Sequence, residues 1–423
     1  MLDIKFVREH PDKVKDSEKK RGNDIKNVDK VLNYDKKWRE ALKDVEKLKH
    51  TRNVVSQEIN QAKKKKDEKT AKKKIADMQK VASDIKKTEE DVSKILEKRD
   101  EVLSELGNLL HKDVPKGKDD SDNVELRQVG TKPKIKVKNH VELCEELQLA
   151  DFDASSETTG NGFYFLKGSL ALLNQALLQF AIDFMHKKGY TYIEPPLMLR
   201  HEVLGAAVDV EEFKNTIYSI KDEDLALIGT SEHALLGLHS KNAFQEVELP
   251  KKYFSYTMCF RKEIGAHGIN EKGLWRTHQF NKVEQFIFCK PDESERLFNE
   301  LLANSEGLLK ELKLPYRVIE LCAGDLSAWK HRSYDVEVWR PTTKEYGEIM
   351  SLSNCTDYQA RKLGIKVVTK EGREVVHTLN NTAIATSRIM VAILENYQTA
   401  KGTVKVPKVL LPYMKGIQEL KKD

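Results

Sequence analysis

The sequence predicts an α+β protein, with an N-terminal antiparallel helical coiled-coil arm followed by a domain built on an antiparallel sheet flanked by helices. Three observations predict it. Before residue 112, apolar residues step by three and four alternately along two long stretches, as in a coiled-coil seam. After Leu110, "HKDVPKGKDDSDN" supplies Pro115, Gly117 and a run of acids, a linker by composition. Beyond it the period drops to two in "KKYFSYTMCFRKE" and "WRTHQFNKVEQFIF", as in half-buried strands.

Residues 1–28 read as a short helical lead of mixed charge. The first arm carries Val31, Tyr34, Trp38, Ala41, Val45, Leu48, Arg52, Val55, Ile59 and Ala62. The second carries Met78, Val81, Ile85, Thr88, Val92, Ile95, Arg99, Val102, Leu106 and Leu109. No strong breaker interrupts either run. Each seam spans about 48 Å at 1.5 Å per residue. Past the linker, "LALLNQALLQFAIDFMHKKG" is an amphipathic helix, "YTYIEPP" a short extended piece, and "TAIATSRIMVAILENYQ" a helix with Ile389, Ala392, Ile393 and Tyr397 at core spacing. These patterns divide the chain at 1–112, 113–165 and 166–423.

The net charge of +6 is concentrated. Between Asp29 and Lys112 stand 23 Lys and Arg against 17 Asp and Glu, so the remainder of the chain is neutral. Within that region "KKKKDEKTAKKK", Lys63 to Lys74, holds eight lysines against Asp67 and Glu68. One twelve-residue tip, without a seam of its own, therefore accounts for the whole imbalance. It reads either as the solvated turn of a dimerisation rod or as a basic tip presented to nucleic-acid phosphates.

A chain of 423 residues is long enough for two or three domains. No apolar run approaches a membrane span and no apolar signal core opens the chain, which predicts a cytoplasmic protein without membrane contact. Cys144, Cys259, Cys289, Cys322 and Cys355 lie far apart, so neither a disulfide framework nor a cysteine-built zinc site is expected.

The alternating strands form a hairpin around a loop bearing Gly265, Gly268 and Gly273. Thr257, Cys259, Arg261 and Glu263 fall on one side of the first strand, and Phe254, Tyr256, Met258 and Phe260 on the greasy other side. His278, Phe280, Lys282 and Glu284 share a face of the second strand. If the charged faces coincide, a cation, two carboxylates and an aromatic ring converge. Such a set can hold a nucleotide, with Arg on a phosphate, Phe on a base and Glu at an exocyclic amine. Residue types alone fit a solvated sheet face with incidental charges equally well.

In combination these segments resemble a class II aminoacyl-tRNA synthetase of the seryl branch. "GYTYIEPP" with Pro195 and Pro196 resembles the first class II motif, "CFRKE" through "HQFNKVEQF" the second, and "TAIATSRIMVAILENYQ" the third. "TSEH" from Thr230, "EIMSLSNCTDYQARK" from Glu348, "HTLNNTAIA" and the helical hairpin are more specific to that branch. The likeness covers essentially the whole chain. It implies a class II catalytic domain over 166–423, a tRNA-binding arm over 1–112 and a homodimer formed through the first motif.

The implied activity is serine-tRNA ligation: L-serine is activated by ATP to seryl-adenylate and passed to the 3′ end of tRNA(Ser), with tRNA(Sec) as a second candidate acceptor. The resemblance assigns Arg261 to the α-phosphate and the serine carboxylate, Glu263 to the adenine amine, Phe280 to the adenine ring and Arg388 to the γ-phosphate. Lys262, Thr277, Ile349 and Met350 complete the ATP contacts, and Glu348 with Ser351 binds Mg2+. Around serine it sets Thr230, Ser231, Glu232, Glu284 and Thr382; many members have Gly-Ser where this chain reads Asn381-Thr382. The carboxylate nucleophile is ionised at neutral pH, so His267, His278 and His377 are read as packing or loop residues. A class II ligase for proline or threonine, or a catalytically silent RNA-binding relative, are the other readings.

Overall fold

The computed structural model describes residues 1–133, 137–208, 215–264 and 272–422. They form two compact units, Met1–Leu109 and Leu110–Asp423.

In the first unit, α1 (Ile4–Glu9) and α2 (Pro11–Arg21) lead into two long helices, α3 (Lys26–Lys64) and α4 (Glu68–Glu105). At 1.5 Å per residue each long helix runs about 57 Å. They are antiparallel, since Lys49 pairs with Glu89 and Glu58 with Lys74. The seam buries Val31, Val45 and Val55 of α3 and Ile85 of α4, whereas Arg52 stays exposed. Arg99 is the polar exception inside it. Asp35, 0 % exposed, accepts a two-pronged bond from Arg8 (3.0 Å each), another from Arg39 (3.0 Å), and lies 3.7 Å from Arg99, whose guanidinium sits over Trp38. Two expectations change. Leu106 and Leu109 lie past the end of α4, which stops at Glu105. The seam also enters the tip: Ala62 and Ala71 are buried, and only residues 65–67 leave the helices. The turn is this short because Lys66 takes a left-handed φ of 54° and Asp67 caps α4 by accepting from the Thr70 amide.

The second unit is organised by an eight-stranded sheet: β1 (Val124–Val129), β2 (Thr191–Tyr192), β3 (Lys251–Phe260), β4 (Gln279–Cys289), β5 (Tyr316–Glu320), β6 (Arg332–Arg340), β7 (Glu345–Thr356) and β8 (His377–Ala385). Their spatial order is β1-β5-β6-β7-β8-β4-β3-β2, and every neighbouring pair is antiparallel except β2 with β3. Among the longer helices, α5 (Gly168–Lys187), α7 (Ser294–Glu311) and α8 (Thr386–Asn396) contribute to one apolar core with the back of the sheet. On α5 the buried Leu170, Leu173, Leu177 and Ala181 repeat at helical spacing. Each buried leucine contributes about 1.5–3 kcal/mol. Across the other face, α6 (Ser231–Leu238) packs Leu235 and Leu236 in a cluster with Phe286 and Phe288.

That second layer changes the reading of the hairpin. Ser255, Thr257 and Cys259 are the buried side of β3, while Tyr256, Met258 and Phe260 are half-buried, because the polar front is roofed by α6. The strand ends at Phe260, and Glu263 has φ 53°, so Arg261 and Glu263 extend from its end rather than along it. Gly265, Gly268 and His267 lie outside the described residues. The five cysteines are buried, and none forms a disulfide among the described residues. Among the described residues no helix is long and apolar enough to cross a membrane.

Candidate active site

On the front of the sheet, Cys259 pairs with Phe280, Thr257 with Lys282 and Ser255 with Glu284, so the polar faces of the two hairpin strands coincide. Arg261 continues the ladder by one bond, its amide donating to the His278 carbonyl (2.9 Å). Its Nε donates to the Gly229 carbonyl (3.1 Å), and its guanidinium lies 5.4 Å from the centre of the Phe280 ring. Glu263 accepts from Arg276 (3.0 Å). All five of Arg261, Glu263, Arg276, Thr277 and Phe280 line a cleft of about 230 Å³.

The facing wall comes from β7 and the start of α8. A bulge in β7 opposite Val336 and Glu337 skips Ile349, which re-aims the side chains on either side. Glu348 accepts from Arg388 Nη1 through its carboxylate (3.1 Å) and its carbonyl (2.7 Å). Burial works against the Glu348 charge, but Arg388, with Arg261 and Lys330 behind it, outweighs this and holds the carboxyl below its usual range; the side chain itself remains 46 % exposed at the cleft. Arg388 Nε also donates to the Trp275 carbonyl, and Trp275 fits because Gly347 is bare: a Cβ there would stand 2.4 Å from the indole. Asp335 pairs across the strands with Ser351. Burial and the neighbouring Glu348 push its carboxyl up to about 7, and its Oδ1 is buried without a hydrogen-bond partner among the described residues.

A second polar group lies beneath. Lys282 Nζ donates to Thr230 Oγ1 (2.7 Å) and stands 2.6 Å from Glu284 Oε2, which also accepts from Thr382 Oγ1 (3.2 Å). Glu232, in the first turn of α6, accepts from Gln359 (2.7 Å) and Asn380 (3.0 Å) on one oxygen. Burial raises the Glu232 carboxyl; the Gln359 bond eases the shift and the Glu284 charge adds to it. His233 beside it is neutral, its imidazole depressed to about 3 by burial and by the charges of Lys282 and Arg261.

Of the residues singled out from sequence, Arg261, Glu263, Thr277, Phe280, Glu348, Ile349, Met350, Ser351, Arg388, Glu232, Glu284 and Thr382 line this one cleft. Thr230, Ser231 and Lys262 do not: Thr230 faces Lys282 and caps α6, Ser231 is fully buried, and the Lys262 amide donates to the Thr216 carbonyl. Lys282, Lys330, Trp275, Arg276, Asn380 and Ser387 also line the cleft and were not singled out. Only Lys282 had a signal, its place on the polar face of β4. His278 packs near Phe163 and bonds the Arg261 carbonyl, and His377 is depressed to about 4, chiefly by burial. Elsewhere His111, Glu295 and His331 bring possible metal-ligand atoms within 4.8 Å of one another. Arg332 lies 3.7 Å from Glu295, and the Asp113 amide donates to His111 Nδ1, which leaves that group poorly disposed to a cation.

An antiparallel sheet that carries an arginine at the end of one strand, a ring and carboxylates on its neighbours, and a second arginine on the following helix is the core of a class II aminoacyl-tRNA synthetase. Accordingly, residues 213–397 match the family model of the tRNA synthetase class II core domain (G, H, P, S and T), and residues 1–110 match that of the seryl-tRNA synthetase N-terminal domain. The serine-tRNA ligase of Methanospirillum hungatei is 43% identical over 98% of this chain and 99% of its own. The crystal structure of seryl-tRNA synthetase from Pyrococcus horikoshii complexed with ATP superposes with a TM-score of 0.94 at 39% identity, covering 100% of both chains. That of the cytoplasmic serine-tRNA ligase from Naegleria fowleri in complex with AMP gives 0.90 at 35% identity, over 100% of this chain and 99% of the other. The chain belongs to the seryl-tRNA synthetase family.

Proposed function

We propose the following reading of the cleft. The protein is an ATP-dependent aminoacyl-tRNA ligase that activates L-serine and transfers it to tRNA. In the first step an oxygen of the serine carboxylate attacks the α-phosphorus of ATP; the new O–P bond forms as the bond to pyrophosphate breaks. No base is required, since the carboxylate is already ionised. What the step needs is positive charge between two anions, and Arg261 supplies it. Phe280 stacks on adenine, Glu263 accepts from its amine, and Arg388 binds the γ-phosphate. Thr277, Ile349, Met350 and the backbone at Lys262 shape the nucleotide side. In the second step a hydroxyl of the tRNA 3′ end attacks the carbonyl carbon and AMP leaves.

Glu348 and Ser351 would hold Mg2+. Their hard oxygens, with the unpartnered Asp335 Oδ1 close by, fit such an ion, whose role when bound is to offset phosphate charge. Glu232, Glu284 and Thr382 surround the serine amine and hydroxyl, with Thr230 and Ser231 behind them. We assign residues 1–112 to tRNA(Ser) binding, 113–165 to a linker and the entry to the catalytic domain, and 166–423 to catalysis, and extend the substrate to tRNA(Sec). The working form is a cytoplasmic homodimer.

One observation carries the reading: the cleft joins a nucleotide wall of Arg261, Glu263, Phe280, Glu348 and Arg388 to a small polar pocket of Glu232, Glu284 and Thr382. ATP–pyrophosphate exchange with each of the twenty amino acids tests it. Serine alone should support exchange; exchange with proline or threonine instead, or with none, would overturn it.

A further inference from the structure

Lys282 is a buried cation that the roles above leave unused. It is 5 % exposed, and Glu284 and Thr230 beside it are 1 % and 6 % exposed. Thr230 Oγ1 accepts twice, from Lys282 Nζ (2.7 Å) and from the Glu232 amide (3.2 Å). With both acceptor positions filled, its hydroxyl can offer only a proton to anything further. Glu284 Oε2 likewise meets two donors, Lys282 and Thr382, which leaves Oε1 for a ligand. Lys282 itself lines the cleft, whereas Thr230 stands behind it.

Charge makes the same point. Two carboxyl groups, Glu232 and Glu284, line the cleft with the Lys282 ammonium 2.6 Å from Glu284, so within this trio at most one negative charge is left unmatched; Arg261 and Lys330 line the cleft as well. That remainder complements the single ammonium of an amino acid. Without Lys282, two carboxyl groups in a low-dielectric pocket would repel each other, and Glu284 would lose the donor that fixes its rotamer.

We propose that Lys282 is a positioning residue of the amino-acid pocket: it orients Glu284 and Thr230 and sets the pocket charge that receives the substrate ammonium. The proposal rests on the serine reading above. Its effect belongs to amino-acid binding and not to ATP, because its two polar partners are on the amino-acid side.

The test is steady-state pyrophosphate exchange on the full chain with wild type, Lys282→Met and Lys282→Gln, with folding followed by thermal melting and ATP binding by calorimetry. Lys282→Met should raise the KM for serine by roughly ten- to a hundredfold, the range for removal of a charge-assisted hydrogen bond. The KM for ATP should stay within about twofold. Lys282→Gln keeps a donor without the charge and should fall between Met and wild type. An unchanged serine KM, an equal rise for serine and ATP, or a loss confined to kcat in a variant that binds ATP normally would each overturn the proposal. If Lys282→Met does not fold, Lys282→Gln decides by the same criteria. Failure of the serine reading itself looks different, since wild type would then show no serine-dependent exchange.

Discussion

Arg261 is held at both ends, by the ladder bond from its amide to His278 and by its Nε on the Gly229 carbonyl, so its remaining donors are fixed in direction before any substrate arrives. Such preorganisation is what a developing phosphate charge rewards. Arg261→Ala should therefore lower serine-dependent exchange by about a hundredfold or more, with the melting temperature little changed; near-normal exchange by a folded variant would remove the assigned role. His233 makes a prediction of a different kind. Its imidazole is depressed to about 3 in the fold, from an ordinary value of about 6.5 in the unfolded chain. Above pH 6.5 neither state is protonated and the group is neutral to stability. Below it the unfolded chain takes up a proton that the fold refuses, so stability falls by up to about 1.4 kcal/mol per pH unit. His377, depressed to about 4, acts with the same sign. Denaturant melts at pH 7.5 and 5.5 should show this loss, and His233→Gln should make it smaller.

At the scale of the element, the arm separates what holds it together from what it displays. Its interior is apolar at the seam and ionic around Asp35, and both features are independent of the tip. Seven of the eight tip lysines are exposed, and the eighth, Lys74, is tied to Glu58. A-form RNA hides most base edges, so a lysine-rich tip would meet phosphates and read shape rather than sequence. Replacing the eight lysines by glutamine should leave serine-dependent exchange intact and weaken tRNA charging. The slope of log affinity against log salt should become shallower by roughly 0.7 to 0.9 for each phosphate that the tip no longer neutralises. Unchanged charging and slope would reduce the cluster to a solvated turn and move recognition to the neutral flanks.

At the scale of the whole molecule, the segment that resembles the first class II motif leaves apolar side chains in water. Tyr192, on the edge strand β2, is 38 % exposed, Leu197 36 % and Met198 47 %. A short edge strand flanked by exposed apolar groups is an unfinished surface, and a two-fold copy would cover it. Light scattering at micromolar concentration should give twice the mass of one chain, and Met198→Glu should shift it toward the monomer with loss of exchange. An active monomeric wild type would end this account of the surface.

The sequence by itself determined the elements that depend on local period. A seam of threes and fours can only be buried along a helix, and strict alternation only across a strand, so the arm, the hairpin and α5 were legible before any fold was known. The joint motif also placed Arg261, Glu263, Phe280, Glu284, Glu348 and Arg388 together, and they do share one cleft. Tertiary structure alone decided the rest. Residues 65–67 close the tip because a left-handed Lys66 and a capping Asp67 act together, and the bulge in β7 turns Glu348 without leaving a mark on the hydrophobic pattern. Lys330 reaches the cleft from a loop, where no periodicity exists to be read, and Trp275 from the stretch ahead of β4, where the alternation runs on although the strand begins only at Gln279. Lys282 was visible as a polar residue on a strand face, but whether a lysine there is solvated or buried depends on what covers it. The cover is α6, with Thr230 at its cap and Glu232 in its first turn, about fifty residues away in the chain and in contact only once the sheet has formed.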